Sequence, residues 1–183
     1  MEKEQNEKRQ LYIVLSKTGT NLSKVIRYVT KADYNHVSLS LDPELNEMYS
    51  FGRRFPRNPL LGGFVQESKD CPFFKLFSET EVKVLSLDID ESTYQDIRSE
   101  FNYMRDHKFM YHYNYIGLVL AAFNIHFKPN YTYYCSEFAK EILLNHNIEG
   151  AKDLEKIPQP IHFEDIPNTT EVYTGKLNQY TAA

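Results

Sequence analysis

The segment "HVSLSL" (36–41) constrains the fold most tightly. Val37, Leu39 and Leu41 alternate with His36, Ser38 and Ser40, the period of a strand that buries one face. Such a strand is unstable alone and needs neighbouring strands and an apolar cover. The chain supplies the neighbours. "LYIVLS" (11–16) is the continuous apolar run of a buried strand, and "EVKVLSLDI" (81–89) reads as another. "DPELN", with Pro43 suited to the second turn position, leads into "EMYSFG" as the return strand of a hairpin. "FVQES" (64–68) predicts a short strand and "EVYTG" (171–175) a late one. Between them "GRRFPRNPLLGG" (52–63), with three Gly and two Pro, predicts an irregular excursion.

Four segments carry helical spacing. In "TGTNLSKVIRYVTK" (18–31) it is Leu22, Val25, Ile26 and Val29. In "DESTYQDIRSEFNYMRDHK" (90–108) Asp90 or Ser92 is the cap, and Tyr94, Ile97, Phe101 and Met104 form the buried stripe. "YHYNYIGLVLAAFNI" (111–125) predicts a mostly buried helix, and "TYYCSEFAKEILLNH" (132–146) a further one capped by Thr132. Pro158, Pro160 and Pro167 mark a loop-rich stretch beyond. Strands and helices are largely segregated, which predicts an α+β fold: residues 1–9 a solvated tail, 10–183 a single domain.

Fourteen Tyr and twelve Phe without Trp favour well-packed strands and stacking surfaces but name no ligand. A net charge of −4 argues against nucleic-acid partners, which need a basic face. Arg53, Arg54 and Arg57 read either as a solvated basic turn or as an attractor for an anionic substrate. Two cysteines, with no CxxC or HxxxH, lead us to expect no disulfide scaffold, no metal and no cofactor. "MEKEQNEKRQ" has no apolar leader core, and the longest apolar run, "YIGLVLAAF", falls short of a membrane span. The expectation is a soluble cytoplasmic protein with no transmembrane segment.

One of the two cysteines has a special setting. With Thr132 as cap, Cys135 falls at the third helical position, where unpaired N–H groups and the dipole favour a thiolate. The same N–H groups suit the oxyanion of an acyl-transfer intermediate. Cys71, in "SKDCPFF", shows no helix start and no adjacent base and reads as structural. A nucleophile needs a base. His107 and His146 lie at helix ends, His112 and His126 flank an apolar helix, and His162 sits in "PIHFED" near acids. His36 lies on the small polar face of its strand with Ser38 and Ser40, which leaves room for a pocket.

"NHVSLSLD", followed about a hundred residues later by "YYCSEFAKEIL", resembles the circularly permuted branch of the NlpC-type cysteine peptidases. This YiiX/YaeF-like branch belongs to the papain-like superfamily and has lecithin retinol acyltransferase as a relative. The histidine strand comes first in it and the C-S-E helix later, the order seen here from about residue 10 to 150. The resemblance implies an antiparallel sheet or small barrel packed on helices, with Cys135 as nucleophile and His36 as its base. It also implies a third, orienting residue on the strand beside the histidine strand. Aligning "EMYSF" gives Ser50, with Glu47 as the alternative. Tyr133 and Tyr134 are candidates for the oxyanion side, and Ser38 for the substrate pocket, while Glu137 reads as structural near the helix start. The implied activity is hydrolysis or acyl transfer at an amide or ester of a peptide, cell-wall fragment or lipid amide. The alternative is a non-catalytic binding or interaction domain on the same fold.

Overall fold

The computed structural model describes residues 8–19, 33–55 and 58–182. The helix expected over 18–31 lies almost wholly outside the described residues, as do residues 56–57 and most of the stretch read as a solvated tail. Eight strands form one sheet: β1 Arg9–Lys17, β2 His36–Ser40, β3 Met48–Phe55, β4 Asn58–Glu67, β5 Glu81–Ile89, β6 His112–Tyr113, β7 Thr132–Tyr133 and β8 Thr169–Lys176. Their order is β7-β6-β4-β3-β2-β1-β5-β8. Every pairing is antiparallel except β6 with β7. Four α-helices occur among the described residues: α1 Pro72–Leu76, α2 Glu91–Asp106, α3 Tyr115–Ala121 and α4 Cys135–Asn145. The mixed, largely antiparallel α+β architecture agrees with the sequence pattern.

The alternation of β2 decides what lies on each side of the sheet. Val37 and Leu39 join Leu11, Ile13, Leu15 and Phe51 in the main core, covered by Ile97 and Phe101 of α2 and Phe138 and Ile142 of α4. Each such side chain contributes about 1.5–3 kcal/mol on leaving water. Opposite, Tyr12, Val14, Met48, Val82 and Val84 pack with Phe74, Leu177 and Tyr180 in a second cluster. Helix α2 starts where expected, Asp90 accepting the Thr93 N–H at 2.7 Å.

Three expectations need correction. Among the described residues of this stretch, 52–55 and 58–63 are strand and not an irregular excursion: β3 and β4 pair with Gly52 opposite Gly63 and Arg53 opposite Gly62, and the register shifts between Arg53 and Phe55. The glycines mark crowding, since a Cβ on Gly63 would lie 2.4 Å from the Tyr111 carbonyl oxygen. The segment 111–125 is not one buried helix. Only 115–121 is α-helical, capped by Asn114, which accepts the Gly117 N–H at 2.8 Å, and only Gly117 within it is buried. Periodicity reports an apolar face but not whether anything covers it. Finally, α4 is capped at Tyr134, because Thr132 and Tyr133 extend in β7, with Thr132 Oγ1 donating to the Pro129 carbonyl at 2.7 Å.

Candidate active site

The shifted cap makes Cys135 the first residue of α4, among the N–H groups that no earlier turn can satisfy. Burial and the C-S-E sequence hold the helix start in place. Glu137, two residues on, turns back and accepts the Tyr134 N–H at 3.1 Å, which fixes the entry of the chain into the helix. Asn114 Nδ2 reaches the same carboxylate oxygen at 3.4 Å, and His126 Nε2 lies 3.7 Å from the other. Burial raises the Glu137 pKa, with the Tyr134 N–H and Asn114 working against that rise. Its role is in capping, in line with the structural reading of the sequence.

Helix α4 packs on β2 and β3 and brings the Cys135 side chain to His36 at the start of β2. The two side chains lie close enough to perturb each other's ionisation, and the Val37 N–H acts on the sulfur as well. Ser136 Oγ is 3.9 Å from Sγ. Burial alone pushes the Cys135 thiol up, but the hydrogen bond and charge of His36, followed by the Val37 N–H and Ser136, outweigh it, and its pKa is lowered. The His36 balance has the opposite sense. Burial disfavours the imidazolium, yet the Glu67 charge and the bonds to Cys135 and Glu67 win, and its pKa stands well above the usual histidine value. Both shifts run in the direction that favours a thiolate–imidazolium pair.

The orienting group is Glu67, at the end of β4. His36 Nε2 lies 3.1 Å from Glu67 Oε2, both side chains nearly closed off from solvent. This commits Nε2 to the carboxylate and leaves Nδ1 for the thiol. Ser38 Oγ donates to the same Glu67 oxygen at 2.8 Å and lies 3.2 Å from His36 Nε2, so Ser38 steadies the carboxylate from within the sheet. Burial works against the Glu67 charge, but the neighbouring His36 charge and the bonds from His36 and Ser38 lower its pKa.

Neither sequence candidate for this role touches the ring. Ser50 Oγ donates to the Val37 carbonyl at 2.6 Å, bracing the backbone of β2. The Glu47 carboxylate accepts from Tyr49 OH at 3.3 Å, and its carbonyl accepts from Ser40 Oγ at 2.7 Å. Glu67 belongs to β4, two strands from β2, and its path to His36 crosses β3 at Gly52. A Cβ there would lie 3.5 Å from Glu67 Oε1 and 3.7 Å from His36 Cε1. The missing side chain at residue 52 keeps that crossing open, the one sequence signal that pointed beyond the adjacent strand.

The two tyrosines before Cys135 diverge. Tyr133 donates to Glu141 Oε1 at 2.6 Å and packs its ring 4.9 Å from that of Phe51, so it serves the core. Tyr134 is buried, and its hydroxyl has no hydrogen-bond partner among the described residues. Burial raises its pKa, as do the charges of Glu137 and Cys135. Tyr113 is likewise raised by burial first and the Cys135 charge second. Two neutral phenols therefore border the thiolate.

The other histidines lie apart. His107 Nδ1 meets the Tyr103 carbonyl at 2.8 Å, His146 Nε2 meets Glu100 at 2.8 Å, and His162 Nδ1 accepts the Gln159 N–H at 3.3 Å. His112 is exposed in β6. Cys71, contrary to expectation, does stand at a helix start, as the cap of the one-turn α1, but it remains a free, half-buried thiol. No family model, curated protein or solved structure matches the chain. Among the described residues no group of three His, Cys, Asp or Glu could hold a metal ion, and no helix is long and apolar enough to cross a membrane.

Proposed function

We propose that the chain is a cysteine hydrolase or acyltransferase of the permuted papain-like type, acting on an amide or ester carbonyl. The observation that carries this reading is the Cys135–His36–Glu67 array, in which the thiol is lowered and the imidazole raised. The order of the histidine strand before the cysteine helix, on an α+β scaffold, is compatible with that branch. In the first step the Cys135 thiolate attacks the carbonyl carbon and the π electrons move onto oxygen. Donors suited to that oxyanion are the N–H groups at the start of α4 and the Tyr134 hydroxyl, which has no hydrogen-bond partner among the described residues. Collapse re-forms the carbonyl and expels the amine or alcohol, which takes its proton from His36. The thioester is then attacked by water or another acceptor, whose proton His36 receives, restoring the thiolate–imidazolium pair. Glu67 keeps the ring oriented and stabilises its charge throughout.

A serine as the orienting group would favour the alternative, a non-catalytic binder on the same fold. The Glu67 carboxylate beside His36 favours the catalytic reading instead. The test is thiol reactivity in a Cys71→Ser background. Cys135 should react with iodoacetamide at neutral pH faster than a free thiol, and Cys135→Ala should abolish the reaction. His36→Ala should move the reaction to higher pH. Equal reactivity of the parent and His36→Ala would sink the proposal.

A further inference from the structure

The uncovered face of α3 is the most unusual surface of the molecule. Ile116 and Val119 of α3, and Phe123 two residues past its end, recur at helical spacing and are 64%, 62% and 72% exposed. Three ties join this stripe to its neighbours. Asn114 Nδ2 donates to the Phe127 carbonyl at 2.7 Å, which holds the following loop against α3. The start of α3 abuts the β3–β4 hairpin, where Tyr115 Oη lies 2.7 Å from the position of a Cβ on Gly62. Arg54 Nη2 donates to the Lys108 and Tyr111 carbonyls at 2.5 and 2.7 Å, which binds the hairpin to the segment carrying Phe109. Leu60 on the hairpin and Phe109 are 79% and 73% exposed. A continuous set of segments thus turns large apolar side chains outward, beyond the scattered exposure normal for a surface.

Charge tells what this surface fits. The chain holds 25 Asp and Glu, yet none falls within 51–64 or 107–131, which contain Arg53, Arg54, Arg57, Lys108 and Lys128. Lys128 pairs with Glu141 of α4. Arg53, Arg54 and Lys108 have no carboxylate partner among the described residues. The Arg54 guanidinium lies 5.4 Å, and Lys108 Nζ 5.5 Å, from the centre of the Phe109 ring, so the cations sit amid the apolar groups. Apolar side chains to enter the acyl boundary, with cations beside them at headgroup level, are what an interfacial protein presents.

We propose that the β3–β4 hairpin, α3 and the loop after it form a docking surface for an anionic lipid bilayer. Outside these two segments the chain holds 16 Lys and Arg against 25 Asp and Glu, a balance that favours presenting this face to an anionic bilayer. The surface does not depend on Cys135 reactivity, so its test reads binding alone. The full chain is floated with vesicles of phosphatidylcholine, with or without phosphatidylglycerol. Three cations near the surface, at about fivefold each (~1 kcal/mol apiece), predict binding roughly a hundredfold tighter to the anionic vesicles, weakening with salt. A Val119→Asp/Phe123→Asp variant should lose at least about tenfold. Val172→Asp, at an exposed position on β8, should bind as the parent does. Failure to float with anionic vesicles, or flotation indifferent to the α3 substitutions, overturns the proposal. So does a dimer in sedimentation that Phe123→Asp dissociates, because a second copy then covers the patch.

Discussion

Replacing Glu67 by Gln removes one charge from the site and little else. The amide oxygen can still accept from His36 Nε2 and Ser38, so the ring keeps its orientation while its counter-charge is lost. At 3.1 Å, two unit charges attract by about 5 kcal/mol at an effective dielectric constant of 20. The desolvation that already opposes the Glu67 charge offsets part of this. An opposite charge so placed moves a pKa by about 1–3 units, or roughly 1.4–4 kcal/mol. Without Glu67 the raised His36 pKa falls by that order. The imidazolium that stabilises the thiolate is then lost at lower pH, and the Cys135 pKa climbs toward the ordinary thiol value of about 8.5. In a Cys71→Ser background, the iodoacetamide rate–pH profile of Glu67→Gln should therefore shift alkaline by about 1–3 units. The rate near neutrality should fall about tenfold or more, moderated by the greater intrinsic nucleophilicity of a more basic thiolate. Stability follows the same linkage. The raised His36 pKa stabilises the fold below about 6.5 and ceases to do so as pH rises through its folded value. The lowered Glu67 pKa contributes above about 4.5 and is lost in acid. The parent's advantage over Glu67→Gln should be greatest near pH 5–6.5 in chemical denaturation. Superimposable alkylation profiles would refute the coupling, whatever the variant's activity.

Ser50→Ala should cost about 1–2 kcal/mol in urea denaturation through loss of the bond to the Val37 carbonyl, and leave the pH profile of Cys135 alkylation unmoved. Gly52→Ala should preserve reactivity within about twofold, since a methyl at 3.5 Å is ordinary contact, whereas Gly52→Leu should shift the profile as Glu67→Gln does by driving Glu67 from His36. Glu137→Gln should behave oppositely to Glu67→Gln. The raised Glu137 pKa means its contribution is greatest in acid and declines as pH rises past about 4.5, so the neutral amide should leave neutral-pH stability unchanged or up to about 1 kcal/mol higher.

How far the site was legible follows from the reach of local pattern. The alternation of its strand made His36 one candidate base and the expected helix start made Cys135 a candidate nucleophile, though the cap is Tyr134 and not Thr132; only the resemblance paired the two. Helix α2 was readable to within two residues because Asp90 and an apolar stripe mark it. Glu67 was not readable in the same way. Its partner sits two strands away, and which residue of β4 leans over β3 depends on sheet twist and register, which sequence spacing does not encode. The glycines at 52, 62 and 63 were read as loop signals, although in a strand they mark close approach. At α3 the apolar periodicity was correct and its burial was not, because burial depends on a partner the helix does not carry.

The acid–base half of the site is assembled within residues 36–67 by the β2–β3–β4 meander, whereas the sulfur arrives on α4 near the far end of the chain. Local pairings close early in folding and distant ones late. During synthesis, and in any partly opened form, His36 and Glu67 can meet while Cys135 remains an ordinary thiol, protonated at neutral pH and slow to react. On the proposed function, reactivity is conferred only when α4 docks. A nascent or damaged chain therefore carries little of the thiolate that would attack its neighbours, and the rate of alkylation at neutral pH counts intact molecules.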